Sequence, residues 1–345
     1  MSRISRYQES IESFIKKKNI DTYLSNTYLS NMDNKLDLIG KTQGVLGNTI
    51  LENHLFKFDH LCGIIVSTIF NHNAKKTNYK GHGYFLAICI DILLIIVKLK
   101  SNYEYKEKYG LKLDTIIFDL TIATYRLLTD NISTIKNPNK YEEINKIIIF
   151  SLQFYNQHIF SICSPTEIIA TKKMIKSDLL NLKYINPQTN LYKKLIEMNK
   201  YDKEDIIKYC EQTYCNIGKI IMVLGWGLGG GTLNDKSIYN SLNSIGYKLG
   251  LIYAISNDFD TIEKDILYVD PKTKSSKNLI INLGIQEAFV LYMETKSLFI
   301  EECMKLNLYT NTLKEVVDLF EEKVDKCLEQ STVDMKSTYS SFSKS

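Results

Sequence analysis

The chain has 345 residues, 44% of them hydrophobic and 24% charged, which is enough apolar material for a substantial core. Its 43 basic and 39 acidic side chains are spread along the chain and leave a net charge of +4, which argues against a nucleic-acid-binding stripe. Seven cysteines at irregular spacings favour reduced thiols and a cytoplasmic location over a disulfide framework. The most apolar run, residues 84–97, is shorter than the roughly 20 residues of a transmembrane helix, so we expect no transmembrane span.

Apolar residues recur at helical spacing along almost the whole chain, and strand-like alternation is rare. Four prolines and sixteen glycines occur, fewer than the roughly 17 and 24 of an average chain of this length. No linker or shift in composition divides the chain, so we predict one helical domain over residues 1–330 and a flexible, Ser-rich tail over residues 331–345. The predicted helices cover residues 5–17, 50–71, 84–99, 112–129, 142–162, 203–224, 236–265, 279–306 and 310–329.

The helix predicted over residues 236–265 carries a polar cluster beside an apolar stripe. The cluster contains Asn257, Asp258 and Asp260, and a run of glycines, residues 225–231, precedes it by about thirty residues. Since a buried carboxylate needs a partner, carboxylates so placed could hold a Mg²⁺ ion that bridges to a diphosphate. The alternative is a solvated face on which the aspartates and Lys264 form intrahelical pairs.

The glycine run also has an alternative interpretation. Gly225, Gly227 and Gly230 satisfy the G-x-G-x-x-G pattern of a dinucleotide-binding loop. Such a loop follows a strand within alternating strands and helices, whereas the residues before Gly225 have helical spacing. We therefore favour a small-residue helix end at this point.

Two segments in this half of the chain resemble a known family. Residues 250–260 read G-L-I-Y-A-I-S-N-D-F-D, and residues 278–288 read N-L-I-I-N-L-G-I-Q-E-A. They are similar, in order and spacing, to the G-x-x-F-Q-x-x-D-D-x-x-D helix and the N-Y-x-x-x-x-G-x-x-x-A helix start of trans-isoprenyl diphosphate synthases, most closely those of large DNA viruses. The resemblance implies an all-α fold, an isoprenoid-synthase-type bundle of roughly ten or more helices around a central cavity.

Farther upstream the resemblance is weaker but keeps its order. Residues 79–86 fall at the family's loop for isopentenyl diphosphate, and Asp130 falls at the first aspartate-rich motif. The resemblance implies that Tyr125 forms the floor of a product tunnel, although we favour a packed aromatic side chain at this position. The implied magnesium ligands are Asp130, Asn257, Asp258 and Asp260, and the implied diphosphate-binding residues are Lys80, Lys219 and Lys264.

Most acidic positions of the family's two motifs are missing here. Only Asp130 remains of the first motif, and in the second Asn257 replaces the leading aspartate and Thr261 the last. Magnesium needs oxygen ligands to replace the water that it sheds, so two functions stay open. One is Mg²⁺-dependent prenyl transfer from an allylic diphosphate to isopentenyl diphosphate. The other is an inactive relative that acts as a regulatory or scaffold subunit, as a homodimer or as a heterodimer with an active synthase.

Overall fold

The structure is a computed structural model that describes residues 2–18, 59–77, 81–136, 141–173 and 178–331. Nearly all regular structure in these ranges is helical, which confirms the predicted all-α class. The only sheet within them is one antiparallel pair of two-residue strands, β1 (Lys172–Lys173) and β2 (Asn199–Lys200). The α-helices are α1 (Arg3–Lys18), α2 (Leu61–Thr77), α3 (Tyr84–Ser101), α4 (Tyr103–Tyr109), α5 (Lys112–Ser133), α6 (Tyr141–Cys163), α7 (Asn190–Glu197), α8 (Lys203–Cys210), α9 (Asn216–Leu228), α10 (Lys236–Leu267), α11 (Leu279–Leu283), α12 (Ile285–Lys305) and α13 (Asn311–Glu329).

Helical periodicity located most helices to within a few residues. The helix predicted over 279–306 is in fact two helices, because Gly284 between them has φ of +91°, a conformation that glycine adopts without steric cost. The predicted flexible tail lies outside the described residues except for Ser331, which forms an isolated bridge with Leu182. The single-domain boundary at residue 330 stays a prediction.

The core is centred on α3, which buries thirteen of its eighteen residues and packs between α2 and α5. A helix that is apolar on most faces is typical of the centre of a bundle. In this core the His60 Nδ1 lies 2.7 Å from the Asp91 Oδ2, and both side chains are fully buried. No helix in the described ranges combines the length and the apolar character that a membrane span requires.

Helices α9 and α10 pack extensively against each other, and their backbones touch where they cross. A Cβ atom added at Gly218 would lie 2.0 Å from the carbonyl oxygen of Gly246, and one added at Gly250 would lie 2.2 Å from that of Tyr214. Only glycine permits so close an approach, so this crossing fixes the position of α10 in the bundle.

The glycine run is part of the same helical packing. Gly225 and Gly227 lie inside α9, and a Cβ atom at Gly229 would come within 2.5 Å of the Phe70 carbonyl oxygen on α2. A dinucleotide-binding loop requires a preceding strand, and α9 occupies that place. The glycines therefore allow close packing of a helix end, as the favoured interpretation of the sequence predicted.

Candidate functional site

One face of α10 lines a cleft of about 70 Å³, and the end of α3 forms the opposite wall. The loop before α11 and two tyrosines close its sides. The lining residues are Asn257, Asp258, Thr261, Lys264 and Asp265 of α10; Lys98, Ser101 and Asn102 at the end of α3; Ser276, Lys277 and Asn278 of the loop; and Tyr209 and Tyr214.

The two tyrosines reach the cleft together because of an irregular turn. Helices α8 and α9 are continuous through a π-helical segment, Glu211–Cys215. In an α-helix, positions five apart lie on different faces, whereas the wider π turn places them on one face. Tyr209 and Tyr214 are five residues apart and therefore share the face that lines the cleft.

The Asp258 carboxyl is buried and held by the residues at the start of α11. Its Oδ2 accepts a hydrogen bond of 2.6 Å from the Leu279 backbone N–H, and its backbone carbonyl accepts one of 2.8 Å from the Asn278 Nδ2. Burial and the neighbouring Asp265 carboxylate raise the pKa of Asp258 well above its usual range. Burial and the neighbouring carboxylate therefore disfavour the charged form of this carboxyl relative to that of an exposed aspartate.

Asp265, two turns farther along α10, is the second carboxyl of the cleft. Its Oδ2 accepts hydrogen bonds from the Thr261 Oγ1 at 2.7 Å and from the Asn278 Nδ2 at 2.9 Å. Burial raises its pKa, and these two hydrogen bonds partly offset that effect. Both carboxyl groups are thus engaged by neighbouring protein groups.

Three lysine side chains bring positive charge to the same cleft. Burial, and then the Lys264 ammonium, lowers the pKa of Lys98, although much of the Lys98 side chain is in contact with solvent. Burial, and then the Lys100 ammonium, lowers the pKa of Lys277, whose Nζ lies 4.5 Å from the centroid of the Tyr209 ring. The Lys264 Nζ pairs with the Glu104 Oε2 at 2.6 Å.

Of the site residues expected from the sequence, Asn257, Asp258 and Lys264 line this cleft. Asp260 does not: its side chain is exposed on another face of α10, so it lies away from the expected ligand set. Lys80 lies outside the described residues.

The structure does not bring Asp130 to Asp258. The residue after Asp130, Asn131, accepts a hydrogen bond of 3.1 Å from the Leu86 backbone N–H at the start of α3. The cleft is at the other end of α3, because Lys98 follows Leu86 by twelve residues, about 18 Å along a helix. The expectation that these two carboxylates share a metal site is therefore corrected, since α3 and not α5 faces α10 across the cleft.

Lys219 and Tyr125 also lie away from the cleft. The Lys219 Nζ donates a 3.2 Å hydrogen bond to the Asn216 Oδ1 on α9, and a Cβ atom at Gly246 would touch the Lys219 Cα. Gly246 precedes Asp258 by twelve residues, which again is about 18 Å. The Tyr125 hydroxyl donates a 2.7 Å hydrogen bond to the Asn156 Oδ1, which is the contact of a packed aromatic side chain between α5 and α6.

Sequence reasoning missed Lys98, Asp265 and Lys277. Asp265 had a usable signal, because it follows Asp258 by seven residues, two helical turns, and so shares its face. Lys98 and Lys277 had none, since one ends a central apolar helix and the other lies in a connecting loop. Their meeting in the cleft depends on tertiary packing alone.

Comparison with known proteins supports the fold and leaves the family open. No family model matches the chain, and no curated protein matches its sequence. The structure is similar to the crystal structure of a protein from Marinomonas sp. MED121 provisionally assigned as a farnesyl-diphosphate synthase, with a TM-score of 0.50 and 10% identity. The match covers 93% of this chain and 99% of that chain. At this identity the likeness shows the fold alone: the chain has the all-α fold of the isoprenoid synthases.

Magnesium, which the family resemblance implies, does not fit the donors of this cleft. Mg²⁺ prefers carboxylate oxygens and water in near-octahedral geometry. Here the Asp258 Oδ2 accepts a hydrogen bond from the Leu279 backbone N–H, the Asp265 Oδ2 accepts hydrogen bonds from Thr261 and Asn278, and the end of α3 contributes Lys98. In the described part of the chain, no group of three or more His, Cys, Asp or Glu side chains is arranged to hold a metal ion. The cleft therefore lacks the ligand set through which magnesium would act on a diphosphate.

Proposed function

We propose that this protein is a catalytically inactive relative of the isoprenyl diphosphate synthases that acts as a regulatory or scaffold subunit. The observation that carries the proposal is the wall opposite Asp258, where α3 presents Lys98, Ser101 and Asn102 instead of carboxylates. Prenyl transfer requires a departing diphosphate to be stabilised by metal ions, the electrostatic contribution that usually dominates such a barrier. A cleft with one facing lysine and two engaged carboxyl groups does not provide that set of ligands.

The size of the cleft supports the same proposal. Ligand-binding pockets for drug-sized molecules usually measure about 300–1,000 Å³, whereas this cleft encloses about 70 Å³. Among the described residues, the cleft is therefore closer in size to a phosphate group than to an isoprenyl diphosphate. Isoprenyl diphosphates remain candidate ligands only through their diphosphate ends.

An exposed apolar surface on α5 and α6 supports self-association as a homodimer. Phe118 on α5 and Phe160 on α6 are 59% and 73% exposed. Each lies one helical turn before a member of the Thr121–Cys163 contact, in which Oγ1 and Sγ are 3.1 Å apart, so both exposed rings belong to this helix pair. Exposed apolar side chains are buried at many interaction surfaces, and a twofold dimer can bury such a surface against its copy.

The catalytic part of the proposal is tested by a condensation assay. The purified protein is incubated with isopentenyl diphosphate, Mg²⁺ and dimethylallyl, geranyl or farnesyl diphosphate, with an active trans-prenyltransferase as the positive control. We expect no prenyl product even at high protein concentration. A product that disappears in the Asp258→Ala variant would refute inactivity and establish the prenyl-transfer function instead.

The oligomeric part is tested by light scattering after size-exclusion chromatography. We expect a dimer for the wild type and a monomer for the Phe118→Ser/Phe160→Ser variant. Leu298→Ser, which changes a 49% exposed residue on α12, is the matched control and should remain dimeric. A monomeric wild type would refute self-association, and the heterodimer with an active synthase would then require co-purification to support it.

A further inference from the structure

We propose that His60 is a pH-sensitive latch for helix α1: its protonated imidazole holds α1 and the start of α2 against the core, and deprotonation loosens α1. The latch consists of the junction Asp59–His60, which leads into α2, together with Asp91 of α3 and Glu12 of α1. These residues are separate from those that line the cleft beside α10, and the latch does not depend on the proposed lack of catalysis.

The first argument is the contact between the junction and α3. The His60 Nδ1 lies 2.7 Å from the Asp91 Oδ2, and both side chains are fully buried. His60 has φ of +54°, a left-handed conformation that few residues other than glycine adopt, so surrounding contacts must hold it. Its carbonyl oxygen accepts a 2.8 Å hydrogen bond from the Ile64 backbone N–H in the first turn of α2. The Asp91 contact therefore fixes a strained residue at the point where the chain enters α2.

The second argument is the attachment of α1 to the same junction. The Gln8 Nε2 donates a 2.8 Å hydrogen bond to the Asp59 carbonyl oxygen. Glu12 follows Gln8 by one helical turn and therefore faces the junction as well. The buried residues of this sixteen-residue helix are Ile4, Ile11 and Ile15. Because elements with few buried apolar contacts open locally at a low free-energy cost, the polar contacts at the junction matter for holding α1.

The third argument is the charge around the imidazole. Three acidic groups face it from three places: Glu12 of α1, Asp59 of the junction and Asp91 of α3. Burial alone would lower the pKa of His60, but the hydrogen bond and charge of Asp91, and then the charges of Glu12 and Asp59, raise it above its usual value. Burial also raises the pKa of Asp91, and the imidazole offsets part of that rise. The closed latch therefore favours the imidazolium form of His60.

The other titratable groups beside the latch do not replace this charge. The Lys323 Nζ of α13 pairs with the Asp59 Oδ2 at 3.0 Å. Burial raises the pKa of Cys62 on α2 and of Tyr253 on α10 well above their usual values, so both groups stay neutral. When His60 loses its proton, three acidic groups therefore remain around a neutral ring, and Lys323 is already paired with one of them.

The raised pKa of His60 fixes the direction of the pH effect. Protonation stabilises the closed latch, and this stabilisation is fully present below about pH 6.5, the usual pKa of an exposed histidine. It is lost as the pH rises through the higher pKa of the closed latch. One proton changes the closing equilibrium by at most about tenfold per pH unit.

The test is hydrogen–deuterium exchange of the full-length protein from about pH 6 to about pH 9, with every rate corrected for the intrinsic pH dependence of exchange. We expect the protection factors of α1 peptides to stay constant up to about pH 6.5 and then to fall by up to about tenfold per pH unit. Peptides of α9, which is almost entirely buried, should keep theirs. His60→Gln should give α1 peptides low protection at every pH.

Glu12→Gln is the decisive variant, because Glu12 is half-buried on α1 and its substitution leaves the contact between His60 and Asp91 in place. It removes a charge that attracts the protonated ring, so the loss of α1 protection with rising pH should shrink by about half. Glu9→Gln removes the same charge from an exposed position of α1 and is the matched control, which should behave as the wild type does. The proposal is overturned if wild-type α1 protection is independent of pH, or if either His60→Gln or Glu12→Gln retains the wild-type pH dependence.

Discussion

The crossing of α9 and α10 makes a quantitative prediction for Gly250→Ala. A Cβ atom at this position would lie 2.2 Å from the Tyr214 carbonyl oxygen and 2.4 Å from the Cys215 Cα, whereas ordinary contacts begin at 3.4 Å. Both neighbours are backbone atoms of a helical segment, so a side-chain rotation cannot relieve the overlap. The two helices must move apart instead.

The expected cost follows from two opposing effects. Overpacking a tight interior costs about 1–3 kcal/mol, and the overlap with fixed backbone places this site at the upper end. Alanine inside a helix is more favourable than glycine by about 1 kcal/mol. We therefore expect Gly250→Ala to lower the free energy of unfolding by about 2 kcal/mol. Since Gly250 precedes Asp258 by eight residues, about 12 Å of helix, the displacement should also reach the cleft.

The assay is urea unfolding followed by far-ultraviolet circular dichroism. Gly227→Ala is the matched control, because its added Cβ atom would meet the end of the Leu233 side chain, which can rotate away. Because Gly227 also lies in a helix, we expect this control to be as stable as the wild type or up to about 1 kcal/mol more stable. A Gly250→Ala variant as stable as the control would refute the argument that backbone contact at these glycines fixes α10.

Three further predictions concern buried and capping polar groups. Asp258→Asn should be more stable than the wild type at pH 7 but not below about pH 3.9. The reason is that the pKa of Asp258 is higher in the folded than in the unfolded protein, so the wild type loses stability as the pH rises above the unfolded value. Equal stability differences at both pH values in thermal unfolding would contradict this. His60→Ala should cost about 3–5 kcal/mol in urea unfolding, because it leaves the buried Asp91 carboxyl without the imidazole that it contacts at 2.7 Å; a loss below 1 kcal/mol would show that this buried contact contributes little to stability. Asp235→Ala should cost about 1 kcal/mol, since the Asp235 Oδ1 caps α10 at the Ser237 backbone N–H, and a fully retained unfolding midpoint would argue against the cap.

Most helices were predictable from the sequence, because burial of one helical face places apolar residues at a regular spacing, whichever elements the helix packs against. The run Tyr84–Val97 and the stripe along α10 both became helices close to the predicted bounds. The break at Gly284 was not predicted, because glycine is compatible with either a helix interior or a left-handed turn. The π-helical segment Glu211–Cys215 was also missed, since it results from packing between neighbours and leaves no periodic signal.

The candidate site shows the same division between what the sequence predicts and what tertiary packing decides. The sequence by itself determined that Asn257, Thr261 and Lys264 share one face of α10, with Asp258 one step away at its edge, because neighbours within a helix have fixed geometry. Only the tertiary structure decided what faces them: α3 with Lys98 instead of α5 with Asp130, and a loop that adds Lys277. Lys98 is more than a hundred positions from α10 along the chain, and its proximity depends on how the helices pack, most directly on the glycine contacts between α9 and α10.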